Sequence, residues 1–395
     1  MLSPSEGIPP LLHDDDSVQE AIESLASGSG PIAVDTERAN GFRYTNKAYL
    51  LQFRRAGSGT KLIDPVFSNE TTSSFAQLSQ AVSDDDWIIH AASQDLPALI
   101  EIQLVPKKVF DTELAGRLLG FDRVNLSSML ERHFDIQLLK EHSAVDWSTR
   151  PLPQGWLNYA ALDVELLIEL RATLIEELHD AGKLDWATEE FGYVLAKNLQ
   201  PTLPKTDPWR HTSGIHRISN QLGVAIVREL WITRDAIASE LDTAPGKIVP
   251  DSAITELASL ASNERLPVKA DLFSVPGFVR RNARRFSEQW MDALDRVARL
   301  PKTEYPPVRV EDGHVPHQRN WARINPEAAK RWGIVRPAVI KRAEELQLPV
   351  ENLISPEPLR ALLWENPSDV DSFLSEHEVR NWQRTLLSPV LEELL

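Results

Sequence analysis

The chain has 395 residues, of which 42% are hydrophobic and 25% charged, and its formal net charge is −16 at pH 7. This length predicts two or three globular domains, and this composition excludes a disordered or collagen-like chain. The absence of cysteine excludes disulfides, cysteine-bound zinc or iron–sulfur centres and a thiolate nucleophile, and it favours a reducing compartment, so we expect a cytoplasmic protein.

The N-terminal half predicts a domain of mixed helices and strands. Its first residues lack the basic and apolar runs of a signal peptide, and no later run reaches roughly 18 apolar residues, the length of a membrane span, so we expect no membrane partner. Short apolar or alternating runs predict strands at Ile32–Asp35, Tyr49–Phe53, Lys61–Asp64, Trp87–His90 and Val109–Asp111, the first three forming an antiparallel meander. Helical patterns occupy Ser17–Leu25, Thr72–Val82, Leu96–Ile102, Glu113–Leu119, Leu126–Phe134 and Tyr159–Asp180. This alternation is typical of a layered α/β or α+β domain.

The C-terminal half predicts only helices. The proline-containing stretch Gln200–Pro208 indicates a linker, and a second proline-rich seam covers Pro301–Pro316. Helical periodicity covers Gln221–Glu240, Asp251–Ser262, Ala283–Arg299, Pro326–Leu346, Pro358–Glu365, Val370–Ser375 and Glu378–Leu395. Acidic residues outnumber basic ones by 31 to 16 in residues 1–204, whereas residues 205–300 carry 14 basic against 12 acidic residues. Any basic footprint for an anionic partner is therefore local.

Two carboxylates stand at the end of the first predicted strand. Asp35 and Glu37 are two residues apart, so their side chains share one face of a rigid strand. Neighbouring carboxylates repel each other unless a cation lies between them or one of them is protonated. The pair could bind a cation, or it could face solvent at the strand end.

Two further motifs place carboxylates on helices. Asp95 lies near the start of the helix that follows the strand ending at His90, where a carboxylate also favours the positive end of the helix dipole. Tyr159 and Asp163 are four residues apart on one helix face. They could therefore point into one cleft, or they could form a buried structural hydrogen bond.

The four carboxylates considered as a set predict a metal site. Oxygen ligands from Asp35, Glu37, Asp95 and Asp163 suit two hard divalent cations, an arrangement that serves phosphodiester cleavage. Tyr159 would then orient the attacking water or accept part of its proton. Because neither cysteine nor a histidine pair accompanies these motifs, Mg²⁺ or Mn²⁺ is favoured over zinc.

Five motifs follow one another along the N-terminal half: DTE, HAASQDL, VFDTELAGRLLG, KEHSAVDWSTRPLP and NYAALDVELL. They resemble the exonuclease motifs of the ribonuclease D family, a member of the DEDD superfamily with a tyrosine in its third motif. The resemblance covers about residues 30–180 and implies a ribonuclease H-like α/β fold, in which helices flank a mixed sheet whose first three strands are antiparallel. It implies metal ligands at Asp35, Glu37, Asp95 and Asp163, and a catalytic tyrosine at Tyr159.

The resemblance also implies where a nucleic acid would contact the exonuclease domain. We expect these contacts at Gln52, His90, Lys140 and Arg150. Gln52 could instead make a hydrogen bond within the sheet. Asp111 matches a further family position, but capping the helix that follows is the simpler role for it.

The helical half resembles the HRDC domain, a module that follows ribonuclease D catalytic cores and occurs in some helicases. After its Val275-Pro276-Gly277-Phe278 motif come four arginines that could contact phosphates or form a solvated face beside acidic partners, namely Arg280, Arg281, Arg284 and Arg285. The C-terminal part resembles a second, divergent HRDC-like domain. We therefore expect an exonuclease domain at 1–200 and two all-α HRDC-type domains at 209–300 and 308–395.

These observations together predict a 3′ to 5′ exoribonuclease with two Mg²⁺ or Mn²⁺ ions. It would release 5′-mononucleotides from RNA 3′ ends, with tRNA-like precursors as substrates. The polarity and the preference for RNA come from the resemblance alone, so two alternatives stay open: a 3′ to 5′ DNA exonuclease and a catalytically inert RNA-binding scaffold. No sustained heptad pattern indicates a dimer, so we expect a monomer.

Overall fold

A single mixed sheet forms the centre of the N-terminal domain. The computed structural model of the chain describes residues 3–66, 71–138, 142, 144–201, 205–262, 265–309 and 315–395, and the predicted contact Lys140 lies outside them. Within this part of the chain the strands are β1 (Leu11–Leu12), β2 (Ser29–Arg38), β3 (Ala48–Ala56), β4 (Gly59–Ile63), β5 (Trp87–Ile89) and β6 (Val109–Asp111). They pair in the order β1-β4-β3-β2-β5-β6.

The strand directions agree with the expected fold. β2, β3 and β4 form the predicted antiparallel meander, whereas β5 runs parallel to β2 and β6 runs parallel to β5. Strand β1 pairs in parallel with β4, and two residues are too few to leave a period in the sequence. The expectation of a mixed sheet with three antiparallel strands first is confirmed.

Helices cover both faces of this sheet. They are α1 (Asp15–Ser27), α2 (Thr71–Ala81), α3 (Leu96–Glu101), α4 (Thr112–Leu118), α5 (Leu126–Phe134), α6 (Gln154–Glu165), α7 (Leu167–Asp180) and α8 (Leu184–Leu199). Alternation along β3 separates two cores, because Leu51 and Phe53 pack with residues of α1 to α3 while Leu50 packs with α6. Helix α6 therefore lies across one face of the meander.

Two differences from the sequence prediction concern the helices α6 to α8 of the N-terminal domain. The single helix expected over Tyr159–Asp180 is interrupted at Leu166, and its first part begins earlier, at Gln154. Helix α8 was assigned no element from the sequence, although its buried Ala187, Phe191 and Leu195 recur every four residues.

The C-terminal half is helical throughout its described residues. Its first region contains α9 (Gln221–Glu240), α10 (Pro245–Ile248), α11 (Asp251–Ser259), α12 (Lys269–Ser274), α13 (Pro276–Val279), α14 (Arg281–Arg284) and α15 (Ser287–Arg299). Its second region contains α16 (Trp321–Ile324), α17 (Pro326–Glu345), α18 (Val350–Leu353), α19 (Pro356–Glu365), α20 (Val370–Glu376) and α21 (Asn381–Leu394). The first region has its own hydrophobic core, whereas the second shares one core with α4, α7 and α8.

The second helical region is joined to α8 by a buried polar and aromatic contact. The Trp382 ring stacks on Trp186 with centroids 5.0 Å apart. Its indole N–H donates to the buried Glu190 at 2.8 Å, and Arg380 Nε donates to the same carboxylate at 2.6 Å. Because charge-assisted hydrogen bonds are geometrically specific, this contact fixes the orientation of α21 on the exonuclease domain.

The first helical region contacts the loop between β2 and β3. The Asp242 carboxylate accepts hydrogen bonds from the backbone N–H groups of Tyr44 and Thr45, at 3.2 and 3.3 Å. The Ala244 N–H donates to the Phe42 carbonyl at 3.0 Å. These bonds restrain the loop that leaves β2.

In the part of the chain that the structure describes, no helix has the length and apolar character needed to cross a membrane.

Replacing Trp382 by alanine tests whether the exonuclease domain and the second helical region unfold together. The substitution removes a buried ring and leaves Glu190 with one partner fewer, so we expect the free energy of unfolding to fall by about 3–5 kcal/mol. The measurement is urea denaturation of the full chain, followed by tryptophan fluorescence and circular dichroism. The exposed Glu392→Ala variant serves as the control. A transition in which only the second helical region is destabilised would contradict the shared core.

Candidate active site

The central strand β2 presents two acidic residues to the face that α6 covers. Ile32 and Val34 point to the opposite face, into the core with α1 and α2. By alternation, Asp35 and Glu37 point toward α6. β2 pairs with β3 alongside both Asp35 and Glu37, and with β5 at Ile32 and Ala33 just before them, so its backbone is fixed by the sheet. Both carboxylates are therefore held with little freedom.

Helix α6 brings a third carboxylate and the tyrosine to the same place. Among the described residues, Asp35, Glu37 and Asp163 form a group in which one carboxylate oxygen from each lies within 4.8 Å of the other two. Tyr159 lies one turn before Asp163 on α6 and lines the same cavity. Packing of α6 on β2, β3 and β4 sets this arrangement, because it decides which face of the helix meets the sheet.

Asp95 lies beside this group but has partners of its own. Thr36 Oγ1 donates to Asp95 Oδ1 at 2.7 Å, and Arg38 Nη2 lies 3.4 Å from the same oxygen. Arg38 also donates to the Gln94 carbonyl. All four predicted carboxylates therefore line one cavity, with Asp95 paired to a cation and the other three close together.

Asp111 holds the turn that carries Asp95. Its carboxylate accepts hydrogen bonds from the N–H groups of Ala91 and Ala92, at 3.1 and 2.8 Å, and from the N–H of Leu114, in the first turn of α4, at 3.1 Å. Ala91 has a left-handed backbone with φ of 61°, a conformation that needs such support. Asp111 thus caps α4, as expected, and also anchors the turn that leads to Asp95.

Burial and mutual repulsion shift the pKa values of the site carboxyls upward. Burial, reinforced by neighbouring carboxylates, raises the pKa values of Asp35 and Glu37 well above their usual range. Burial raises the pKa of Asp163 to about 7, against an opposing hydrogen bond from Tyr159. Burial likewise raises the pKa of Asp95 to about 6, although Thr36 and Arg38 oppose the shift. Bound cations would relieve this repulsion.

The carboxylates open into a cavity of about 520 Å³. Residues that the sequence did not single out also line it, from the end of β2 and the start of α5: Arg38, Asn125, Leu126 and Ser127. Arg38 directly follows the DTE motif, and as a cation beside carboxylates it is suited to an anionic ligand. The position of Arg38 next to the DTE motif could have predicted that it lines the cavity. The α5 residues lie in no motif that would have predicted this.

The structure separates the three predicted contacts of the exonuclease domain that it describes, Gln52, His90 and Arg150. His90 lines the cavity, and its Nδ1 is 2.9 Å from Thr112 Oγ1. Burial lowers the pKa of His90 to about 4, so the ring is neutral at pH 7. Gln52 is fully buried, so the prediction that it contacts a nucleic acid disagrees with its position.

Arg150 also differs from its predicted role. Its guanidinium donates to both Asp64 oxygens, at 2.6 and 2.9 Å, and to three backbone carbonyls, those of Tyr49, Trp147 and Thr149. A guanidinium has five N–H donors, and these contacts use all of them. Arg150 therefore anchors the segment before α6 to the sheet, and the predicted nucleic-acid contact is corrected to this structural role.

The four arginines of the first helical region are exposed, namely Arg280, Arg281, Arg284 and Arg285. Within the described residues, none of them lies within 4.0 Å of a carboxylate. Contacts of neighbouring residues connect this region to the β2–β3 loop: Asn282 Nδ2 donates to the Lys247 carbonyl at 3.2 Å, and Lys247 Nζ lies 3.6 Å from the ring centroid of Phe42.

The chemistry of the cavity fits a hard divalent cation. The converging atoms of Asp35, Glu37 and Asp163 are all carboxylate oxygens, the ligand type that Mg²⁺ and Mn²⁺ prefer. Their buried charges also lack enough cationic partners, since Arg38 pairs with Asp95. These residues could therefore hold a divalent metal.

Three family models match successive parts of the chain. Residues 11–179 match the model described as 3′-5′ exonuclease, and residues 224–294 match the HRDC domain. Residues 314–395 match the model described as 3′ to 5′ exonuclease C-terminal domain. The N-terminal domain is thus an exonuclease domain and the first helical region is an HRDC domain.

Curated relatives and solved structures agree with these matches. Ribonuclease D from Acidiphilium cryptum is 32% identical over 176 residues, which span 44% of each chain, less than half of that relative. Ribonuclease D from Jannaschia sp. is 28% identical over 305 residues, 75% of each chain.

Two solved structures align with nearly the whole chain. A protein from Bifidobacterium adolescentis is 36% identical, with a TM-score of 0.87 and coverage of 100% of this chain and 98% of that one. Escherichia coli RNase D, described as an exoribonuclease involved in structured RNA processing, is 21% identical, with a TM-score of 0.71 and coverage of 98% of both chains. At 21% identity, the similarity to Escherichia coli RNase D is a similarity of fold.

The raised pKa of Asp163 predicts how stability depends on pH without metal. The folded protein keeps a proton on Asp163 up to about pH 7, whereas the unfolded chain loses it near pH 3.8. The folded state therefore binds more protons in this window, and the contribution of Asp163 to stability is lost as pH rises through about 7. Asp163→Asn, which cannot ionise, should melt at a higher temperature than wild type at pH 8 in EDTA, and the difference should shrink at pH 5. Melting is followed by circular dichroism, and a difference independent of pH would contradict the raised pKa.

Proposed function

This chain belongs to the ribonuclease D family, and from that premise we propose that it is a metal-dependent 3′ to 5′ exoribonuclease that releases 5′-mononucleotides from RNA 3′ ends. The observation that carries the proposal is the convergence of Asp35, Glu37 and Asp163, with Tyr159 beside them, in one open cavity. An inert scaffold would have no use for these charges, whose repulsion destabilises the fold.

The residues of the cavity would have different roles in phosphodiester hydrolysis. Two Mg²⁺ or Mn²⁺ ions would be held by Asp35, Glu37, Asp95 and Asp163. The ions would lower the pKa of an attacking water and stabilise the charge on the leaving 3′ oxygen. Burial and nearby carboxylates raise the pKa of Tyr159 far above its usual value. Its phenol therefore keeps its proton and orients the water by hydrogen bonding.

Positively charged side chains at the cavity and beyond it would bind the RNA strand. Arg38 lies at the cavity wall, where a phosphate oxygen could replace its contact with Asp95. Further out, the exposed arginines of α14 and its ends adjoin the β2–β3 loop and would contact upstream phosphates. His90, which is neutral, would contact the terminal nucleotide without charge.

The physiological setting follows from the same family. We propose that the substrates are tRNA-like precursors and that the chain works as a monomer in the cytoplasm, which its lack of cysteine favours. Its domains are an exonuclease domain at 1–200, an HRDC domain at 209–300 and a second HRDC-like domain at 308–395.

Degradation of 5′-labelled RNA tests the proposed activity. With Mg²⁺ or Mn²⁺ we expect a ladder of products that shorten by one nucleotide, and we expect none in EDTA or with a 3′-phosphate end. Asp35→Asn should lose at least about 100-fold in kcat, because a ligand to the cations is lost. Asp180→Asn, which alters an exposed carboxylate, should cleave like wild type.

The same assay separates the alternatives. Faster cleavage of a DNA strand of matched sequence would indicate a DNA exonuclease. RNA that stays intact in Mn²⁺ yet shifts on a native gel would indicate a binding scaffold.

Charge removal at α14 tests the RNA path. The double substitution Arg281→Gln and Arg284→Gln should weaken binding of single-stranded RNA and reduce the salt dependence of log K by about 0.7 per lost phosphate contact. Fluorescence anisotropy at several salt concentrations measures both quantities. Lys341→Gln, which removes an exposed charge from the second helical region, is the control. Equal salt slopes for the double variant and wild type would show that these arginines do not contact RNA.

A further inference from the structure

Gln52 is enclosed between the sheet and the helix that together carry the acidic group. In the antiparallel pairing of β2 and β3 it lies directly opposite Asp35. Opposite residues project from the same face, with Cβ atoms about 4.5–5.5 Å apart. Helix α6 covers that face, since Leu50 and Leu62 pack there against Ala160.

The Gln52 amide has no hydrogen-bond partner among the described residues. Its side chain is 0% exposed, and both Oε1 and Nε2 are buried without a partner. Burial of an unpaired donor and acceptor is unfavourable and rare in proteins, so each case needs a physical reason. An apolar side chain of similar size would fill this position without the unfavourable free energy of burying an unpaired amide.

Among the strand residues that neighbour Gln52 on this face, one carries an acceptor for its N–H. Across the sheet its partner on β4 is Leu62. Along its own strand the side chains on the same face are Leu50 and Arg54, and neither carries an acceptor. The remaining strand neighbour is the carboxylate of Asp35, which lies directly opposite Gln52. Two carboxylates of α6 also reach this face, because Asp163 lies beside Asp35 and Glu165 pairs with Arg54.

We propose that Gln52 is a positioning residue for Asp35, whose carboxylate accepts a hydrogen bond from the Gln52 amide when it binds a divalent cation. Carboxylates that bind metals are held by further hydrogen bonds, which fix the oxygen that faces the cation. The inference rests on the proposed function for the identity of the metal. It replaces the nucleic-acid contact predicted for Gln52 by a role inside the protein.

Gln52→Met tests this role, because methionine has nearly the shape of glutamine but cannot donate a hydrogen bond. Calorimetric titration of the full chain with Mn²⁺, after removal of metal with EDTA, should show affinity reduced about 10–100-fold. The melting temperature in EDTA should be equal to that of wild type or higher, since an unpaired polar group is removed. Leu62→Met repacks the same face without changing a polar group and should bind Mn²⁺ like wild type.

A kinetic measurement distinguishes positioning from packing. For Gln52→Met, kcat at low Mn²⁺ should fall while KM for RNA stays unchanged, and high Mn²⁺ should restore kcat. A packing defect would lower the melting temperature and would not respond to Mn²⁺ in this way. If Gln52→Met unfolds, Gln52→Leu is measured in its place.

The possible results separate this inference from the proposed function. Mn²⁺ affinity within twofold of wild type in the folded variant would overturn the inference and leave Gln52 as a structural residue or the partner of a buried water. If wild type binds Mn²⁺ but cleaves no RNA, the proposed function fails while the titration still decides the role of Gln52. If wild type binds no Mn²⁺, both are overturned.

Discussion

Three carboxylates with oxygens within 4.8 Å of one another impose the constraint on which the rest of the exonuclease domain depends. Like charges at this separation, removed from water, raise one another's pKa and oppose folding. The domain holds them together through the pairing of β2 with β3 alongside Asp35 and Glu37 and through the packing of α6 across the meander. The result is a preorganised group of oxygens whose repulsion a divalent cation removes.

Several side chains outside this group act by holding backbone in place. Asp111 fixes the turn that carries Asp95, through three N–H donors. Arg150 ties the segment before α6 to Asp64 and to the β3 backbone, so it sets where α6 begins. Asp111 is buried, whereas Arg150 is partly exposed, and hydrogen bonds engage every guanidinium N–H of Arg150. Their contribution to the site is geometric.

The two helical regions are attached to the exonuclease domain in different ways. The second shares a continuous core with α4, α7 and α8, so its removal would expose apolar surface of the exonuclease domain. The first has its own core and reaches the exonuclease domain through hydrogen bonds and a cation–π contact at the β2–β3 loop. This attachment has less buried apolar surface and lies at the loop that follows the strand carrying Asp35 and Glu37.

The sequence by itself determined the strand meander, most helices and the acidic set, because alternation, helical period and the spacing of Asp35 with Glu37 and of Tyr159 with Asp163 are local properties. It could not determine Leu11–Leu12 as a strand, the break at Leu166, or the roles of Arg150 and Gln52. Those depend on partners distant in the chain: Asp64 lies 86 residues before Arg150, and Gln52 faces Asp35 only after the strands pair. Tertiary structure decided which polar side chains face the cavity and which are buried, because burial is a property of packing between elements and not of any one segment.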